Sequence, residues 1–308
     1  MFKHLLVPLD GSRLAEAVLP ASAYLAQTLD ASVTLLHLIE RDAPPEVHGD
    51  RHLNDPDEAC AYLDEVATRA FPPNLQVERH VHTTAVSDVA CSIVDHAGEL
   101  TPDLIVMCTH GRGGLRGWLI GSIAQQVIKL GTTPVLLIRP PETDTAPAFT
   151  CRRLLVPLDG DPDHEQGLAV AADLAQTCGA SLHLVMAVHT LQTLSGQRAA
   201  TAKLLPRAMS ALLDLTQQGG KEYLDQRLAK LQTTGLAVTA RVARGDPAKI
   251  IVRRARQVQA DLIVMGTHGK KGVDAFWAGS VAPKVSNYSR RPLLLVPVRG
   301  PEAEPCKK

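Results

Sequence analysis

The chain contains the same unit twice. Leu5-Leu-Val-Pro-Leu-Asp-Gly11 returns as Leu154-Leu-Val-Pro-Leu-Asp-Gly160, and Asp103-Leu-Ile-Val-Met107 returns as Asp261-Leu-Ile-Val-Met265. Between them, Tyr62-Leu-Asp64 matches Tyr223-Leu-Asp225. An internal repeat constrains a fold more than any single motif, because both copies must take the same architecture. A length of 308 residues suits two units, at about 150 residues per domain. The boundaries read as domain 1–139, linker 140–151, domain 152–299 and tail 300–308. The linker, Arg139-Pro-Pro-Glu-Thr-Asp-Thr-Ala-Pro-Ala-Phe-Thr150, is rich in proline, threonine and acids, as connecting segments are. Changing separations between matched segments place extra residues in the second copy around Thr190–Gly220 and a longer turn in the first near Pro72–Asn74. The extra segment reads as partly helical. It fits either a mobile flap or a surface insertion, and the latter is the commoner outcome.

Within each copy strands alternate with helices. In the first, the strands read His4–Leu9, Ser32–Ile39, Leu75–His82, Leu104–Cys108 and Val135–Ile138. Several are near-continuous aliphatic runs, the mark of strands buried on both faces, hence a parallel sheet covered by helices. The first helix reads as Arg13–Thr28, with Pro20 kinking or restarting it. Aromatic residues are only 3% of the chain, so aliphatic packing must fill the cores. Lys plus Arg equals Asp plus Glu at 32 each, which argues against a nucleic-acid partner. Six scattered cysteines without a C-x-x-C spacing suit a reducing compartment rather than a disulfide framework or zinc. MFKHLLVPLDG does not read as a signal peptide, and no apolar run is long enough to span a bilayer. The expectation is a cytoplasmic protein with no membrane partner.

Parallel open sheets bind ligands beyond the carboxyl ends of their strands, where strand order reverses. Two features lie at such ends in each copy. One is Asp10-Gly11 after the first strand, with Asp159-Gly160 as its counterpart. The other is a glycine-rich loop after the fourth strand, running into a helix. Such a loop offers backbone N–H groups and a helix N-terminus to an anion, most often phosphate. The loop spacing is Gly266-x2-Gly269-x9-Gly279-Ser280 in the second copy and Cys108-x2-Gly111-x9-Gly121-Ser122 in the first. Neither a P-loop nor a G-x-G-x-x-G dinucleotide pattern is present.

These features together resemble the universal stress protein family, as a tandem two-domain member. The resemblance rests on V-P-L-D-G, on Leu35–Glu40, on M-[CG]-T-H-G with its downstream Gly-Ser, and on Gly245-Asp-Pro-Ala248. It covers the chain apart from linker, insertion and tail. It implies two doubly wound five-stranded parallel sheets of order 3-2-1-4-5, in the adenine nucleotide alpha hydrolase-like class. It also implies pairing of the domains through their last strands and allows a homodimer. The implied ligand is ATP with Mg²⁺.

Carried over position by position, the family's ATP motif falls on Gly266, Gly269, Gly279 and Ser280, and on Cys108, Gly111, Gly121 and Ser122. Cys108 departs from the first glycine, so the second copy matches more fully. Asp10 and Asp159 match the acidic residue near the nucleoside, where they would hold ribose or magnesium or merely cap the first helix. Leu38 and Ala187 match the adenine-contacting position and would act by backbone and packing. Arg112, Arg116, Lys270 and Lys271 sit in the loops, where they would neutralise phosphate or stay solvated. His110 and His268 read as loop-steadying groups. Ser122 and Ser280 read as phosphate contacts or plain helix N-caps, and Ser122 with Gln125 spells a capping box. Cys108 reads as inert packing and His37 as a satisfied core histidine. The implied role is a nucleotide-responsive regulator of stress survival. Two alternatives stay open: a slow ATP hydrolase or nucleotide transferase, and a dimerisation scaffold without nucleotide.

Overall fold

The computed structural model describes residues 1–109, 121–141, 148–267 and 281–297. The first half contributes strands β1 (His4–Pro8), β2 (Ser32–Glu40), the short pair β3 (Glu46–Val47) and β4 (Asp50–Arg51), β5 (Val77–Val86), β6 (Leu104–Cys108) and β7 (Val135–Ile138). Its helices are α1 (Leu19–Leu29), α2 (Pro56–Ala70), α3 (Val89–Leu100) and α4 (Ser122–Leu130). The second half contributes β8 (Arg153–Leu158), β9 (Ser181–Val188), β10 (Val238–Arg244), β11 (Leu262–Thr267) and β12 (Leu293–Pro297). Its helices are α5 (Gln166–Cys178), α6 (Gly196–Leu204), α7 (Pro206–Gln232), α8 (Pro247–Gln257) and α9 (Val281–Tyr288).

The large strands form one ten-stranded sheet of order β10-β9-β8-β11-β12-β7-β6-β1-β2-β5. Each half therefore has the expected 3-2-1-4-5 order, and every pairing of this sheet within a half is parallel. The halves join through their last strands. β12 pairs antiparallel with β7, Leu293 opposite Leu137, Leu294 opposite Leu136 and Leu295 opposite Val135. Because this pairing is antiparallel, the strands of the two halves run in opposite directions. Their carboxyl ends, and anything bound there, lie at opposite ends of the sheet along the strand direction.

The near-continuous aliphatic runs are explained by helices on both faces. Successive strand residues point to opposite sides. Thus Leu5, Val7, Leu104, Val106 and Leu136 enter one core with α1, α2, α5 and α7. Leu6, Ile105, Met107, Val135 and Leu137 enter the other with α3, α4, α8 and α9. Each core crosses the seam, since Leu136 and Leu294 share one and Leu137 and Leu293 the other.

Proline placement sets the details. Pro20 does restart its helix: a 3₁₀ turn, Ala15–Val18, precedes α1, and Pro20 sits in the first turn of α1, where a missing N–H is harmless. Pro8 has a larger effect. Leu9 N–H donates to Leu36 O at 2.8 Å, so the alternation of strand donors aims position 8 toward β6, and proline has no N–H to offer there. The β1–β6 register ends earlier, at Leu6 opposite Ile105. Its repeat, β8–β11, ends at Leu155 opposite Ile263, two residues before Pro157. The sheet parts at both points of strand-order reversal. Among the described residues, no helix is long and apolar enough to cross a membrane.

Leu136 and Leu294 face each other in register at the seam and are buried. Truncating either to alanine is expected to cost about 2–5 kcal/mol. The double variant should lose less than the sum, because both side chains pack in one core and their truncations would share one void. Urea unfolding of the four proteins checks this; strictly additive losses would contradict a shared seam core.

Candidate functional site

Each half has a cavity where its sheet parts. In the first half its volume is about 300 Å³, and Asp10, Leu38, Cys108, Thr109, Gly121 and Ser122 are among its walls. The structure thus brings together all the described positions expected there. The Asp10-Gly11 turn requires its glycine. Gly11 has φ 86, in the left-handed region, and a Cβ there would lie 2.8 Å from the Leu53 side chain. One Asp10 oxygen holds this turn, accepting from Ser12 N (2.9 Å) and Ser12 Oγ (2.6 Å). The other lies 3.5 Å from His48 Nε2. The carboxylate therefore serves the turn and also faces the cavity.

Helix α4 points its N-terminus at this cavity, with Ser122, Ile123 and Ala124 in the wall. The capping-box expectation is corrected. Gly121 is the N-cap with no side-chain hydrogen bond, and Ser122 is the first helical residue. Gly121 donates to the Thr109 carbonyl, and Gln125 N–H donates to Gly121 O at 2.9 Å. The early N–H groups of a helix have no intrahelical acceptor, so this end favours an anion. Two further polar atoms point the same way. Thr109 Oγ1 and His52 Nδ1 are buried and have no hydrogen-bond partner among the described residues, and both residues line the cavity. Leaving such groups unpaired is costly, so a polar ligand suits this site.

The second cavity is larger, about 550 Å³, and Asp159, Ala187, Gly266 and Val281 are among its walls. Asp159 repeats the turn, accepting from Asp161 N at 3.0 Å, with His164 Nδ1 at 2.7 Å from its second oxygen. The extra segment of this half is more than a surface insertion. It forms a 3₁₀ turn, α6 and the first turns of α7, and it places Leu194, Arg198, Met209 and Leu213 in the cavity wall. In the first half the same connection, between the second strand and the following helix, carries the β3–β4 pair instead. From it, Val47, His48 and His52 line the first cavity. Sequence reasoning missed this small lobe, whose strands are two residues each. Gly111, Arg112, Arg116, His110, Gly269, Lys270, Lys271, His268, Gly279 and Ser280 lie outside the described residues.

The Cys108–Gly266 difference has a local cause. In the second half a Cβ on Gly167 would sit 2.7 Å from Gly266 N, so the first helix presses directly on β11. In the first half, Cys108 Sγ instead donates to Leu14 O at 2.9 Å, reaching the turn before α1. Burial, with Asp10 behind it, pushes this thiol above its ordinary range. It stays protonated and unreactive. His37 is buried and holds two backbone carbonyls within reach, its ring nitrogens lying 2.8 Å from Leu9 O and 3.1 Å from Leu53 O.

Comparison with known proteins agrees with this architecture. The model of the universal stress protein family matches residues 1–139 and again 150–297. The chain belongs to the universal stress protein family. Universal stress protein Rv2623 of Mycobacterium tuberculosis is 26% identical over 308 residues, 94% of this chain and 95% of that one. Universal stress protein YxiE of Bacillus subtilis is 30% identical over 152 residues, 45% of this chain and all of that one. Among solved structures, a universal stress protein from Archaeoglobus fulgidus covers 96% of this chain and 98% of its own, with 20% identity and a TM-score of 0.69.

The tyrosine of the repeated Tyr-Leu-Asp lies beside a Glu–Arg pair in both universal stress protein units, and in the second it hydrogen-bonds to it. Tyr223 Oη donates to Glu165 Oε1 at 2.6 Å, and Arg227 Nε donates to the same oxygen at 2.8 Å. Burial, then Glu165, raises the Tyr223 phenol. In the first unit Arg69 binds Glu16 at 2.8 Å, and Tyr62 is raised by burial and then by the Glu16 charge. Each cluster fastens the helix that follows the covering segment to the start of the first helix.

Close contact at Gly167 gives a paired expectation. Gly167→Ala should destabilise by about 1–3 kcal/mol, because the atoms it meets are backbone. Gly98→Ala, within α3 with nothing within 4 Å of the new Cβ, should stabilise by about 0.4–1 kcal/mol. Denaturant midpoints check both; a neutral Gly167→Ala would refute the close packing of α5 on β11.

Proposed function

We propose that both cavities bind adenine nucleotide, ATP with Mg²⁺, and that occupancy biases a conformational or oligomeric state through which the protein regulates stress survival in the cytoplasm. The observation that carries this reading is convergence. In each unit a turn carboxylate, the end of the second strand and the end of the fourth strand surround one cavity at the switch point. In the first unit a helix N-terminus and two buried polar atoms, unpartnered among the described residues, join them. The cavity volumes fall within the ~300–1,000 Å³ of small-molecule sites. Ser122 N–H and its neighbours would meet phosphate, and Leu38 or Ala187 would pack against the base. Asp10 or Asp159 would hold ribose or share a Mg²⁺ with phosphate oxygens, since that ion needs only one or two carboxylates beside its phosphates. Gly269, Gly279, Ser280 and Lys270 complete the second loop on this reading, as Gly111 and Arg112 complete the first.

Mass spectrometry of small molecules released by denaturing the purified protein is expected to find an adenine nucleotide. Titration with a fluorescent ATP analogue separates the sites. Ser122→Glu puts a carboxylate at a helix N-terminus, where it favours the helix but repels phosphate. It should weaken binding in the first unit at least tenfold, on the order of the ~1.4 kcal/mol that separates each decade of affinity. Gly279→Glu should do the same in the second. If the double variant binds ATP as the wild type does, the sites are misassigned.

A further inference from the structure

Away from both cavities, three imidazoles converge. His80 and His82 stand two residues apart on β5 and so share one face of the strand, and His96 lies on α3. One ring nitrogen from each lies within 4.8 Å of the others. The His96 ring centroid is 5.0 Å from that of His80 and 4.9 Å from that of His82. His96 is buried, and its Nδ1 lies 2.7 Å from the Ser92 carbonyl oxygen. A carbonyl only accepts, so Nδ1 carries the proton and Nε2 keeps a lone pair to give. That pattern, one nitrogen fixed by a backbone carbonyl and the other free to coordinate, is how proteins orient metal-binding histidines.

The fold does not require this cluster. β5 pairs with β2 as β10 pairs with β9. Leu36 lies opposite His80 and Leu38 opposite His82, while Val185 lies opposite Arg241 and Ala187 opposite Ala243. Counting from the N-cap residues Asp88 and Asp246, His96 corresponds to Arg254. The second unit thus has two arginines and an alanine where the first has three histidines. Burial and the neighbouring Arg241 lower the Arg254 guanidinium, so the second unit already carries two facing cations and no ligand.

We propose that His80, His82 and His96 form a binding site for a divalent transition metal of the zinc class, with the fourth position taken by water. Three neutral imidazoles suit Zn²⁺, Co²⁺ or Ni²⁺ and not oxygen-seeking Mg²⁺ or Ca²⁺. At about 2.0–2.1 Å from zinc, the nitrogens would draw closer than they stand, by rotation of the half-buried His80 and His82. Among the described residues, β5 is the last strand of the sheet, with β2 its sole strand partner. A metal here would tie that edge strand to α3, which carries Val89 and Ile93 into the wall of the first cavity.

The full chain, stripped of metal with a chelator, is titrated with Co²⁺ and then Zn²⁺. One equivalent of Co²⁺ is expected to give visible ligand-field bands that Zn²⁺ displaces, and Zn²⁺ should raise the melting temperature. His80→Gln with His82→Gln should weaken Zn²⁺ binding by at least about 100-fold, beyond the effect of losing an outer-shell partner. His183→Gln, in the other unit, should leave it unchanged. His82→Ala, which installs the residue of the second unit, keeps the test open if the double variant does not fold. The proposal is overturned if Co²⁺ gives no bands, or if Zn²⁺ binds wild type and variants alike.

Discussion

Both cavities depend on one interruption in the sheet. Parallel strands gain stability by staying paired and buried on both faces, yet β1 leaves β6 after Leu6 and β8 leaves β11 after Leu155. A proline follows within two residues in each case, with no donor on the side of the departing neighbour. Pairing on the other side continues, to Pro8 opposite Leu36 and Leu158 opposite Met186. The strand therefore stays anchored while a gap opens beside it. The Asp-Gly turn follows immediately, and its glycine reverses the chain with a backbone that L side chains avoid. One short motif, V-P-L-D-G, thus ends the ladder, starts the turn and places the carboxylate.

What covers the gap differs between the units. The connection after the second strand is a two-strand lobe with His48 and His52 in one unit, and a pair of helices with Leu194, Met209 and Leu213 in the other. The first cavity consequently has an imidazole-rich roof, and the second a wider, more aliphatic one with Arg198. A Glu–Arg pair fastens the base of the covering element in both, joined in the second by the Tyr223 hydroxyl, so the elements diverge from a shared anchor. The Cys108–Gly266 difference is contained in the same way. A tighter helix–strand contact at Gly167 accompanies glycine, and a sulfur-to-carbonyl hydrogen bond accompanies cysteine.

The fold was legible because its signals are collective. Aliphatic runs, the repeat and the helix at Pro20 are each averaged over many residues, and strand order follows from the family resemblance. β5 was longer than expected, running on to Val86 rather than ending at His82, because Arg41 N–H pairs with Val86 O beyond a register shift at Leu38 and Glu40. Polar edge-strand residues carry little periodic signal. Asp10, Leu38, Gly121 and Ser122 line one cavity; the Asp-Gly turn was legible because backbone geometry demands its glycine, whereas Leu38, Gly121 and Ser122 came from the family resemblance. The roofs were not legible. His48 and His52 act through contacts distant in sequence, and two-residue strands leave no pattern. Ser122 missed its capping role for a related reason: Gly121 already fills that position, and composition alone does not say which of two adjacent residues leaves helical geometry. The histidines of β5 and α3 were invisible for the same cause, being separated by a strand end, a turn and a helix start.

The antiparallel seam has a consequence for how two such sites can communicate. Strand direction reverses at β7–β12, so the cavities open at opposite strand ends of one sheet, and no ligand can touch both. Any influence of one on the other must pass through the apolar cores, which are continuous across the seam on both faces. Packed cores are stiff and respond to displacement of a helix more readily than to local charge. Among the helices that meet the cavities are α4 in the first unit and α9 in the second, and each directly precedes its own seam strand. A ligand drawing on the N-terminus of α4 therefore acts on the element joined to β7 by only a few residues. That short lever, rather than a chain of polar contacts, is the physical route by which occupancy of one unit would be felt at the seam and in the other.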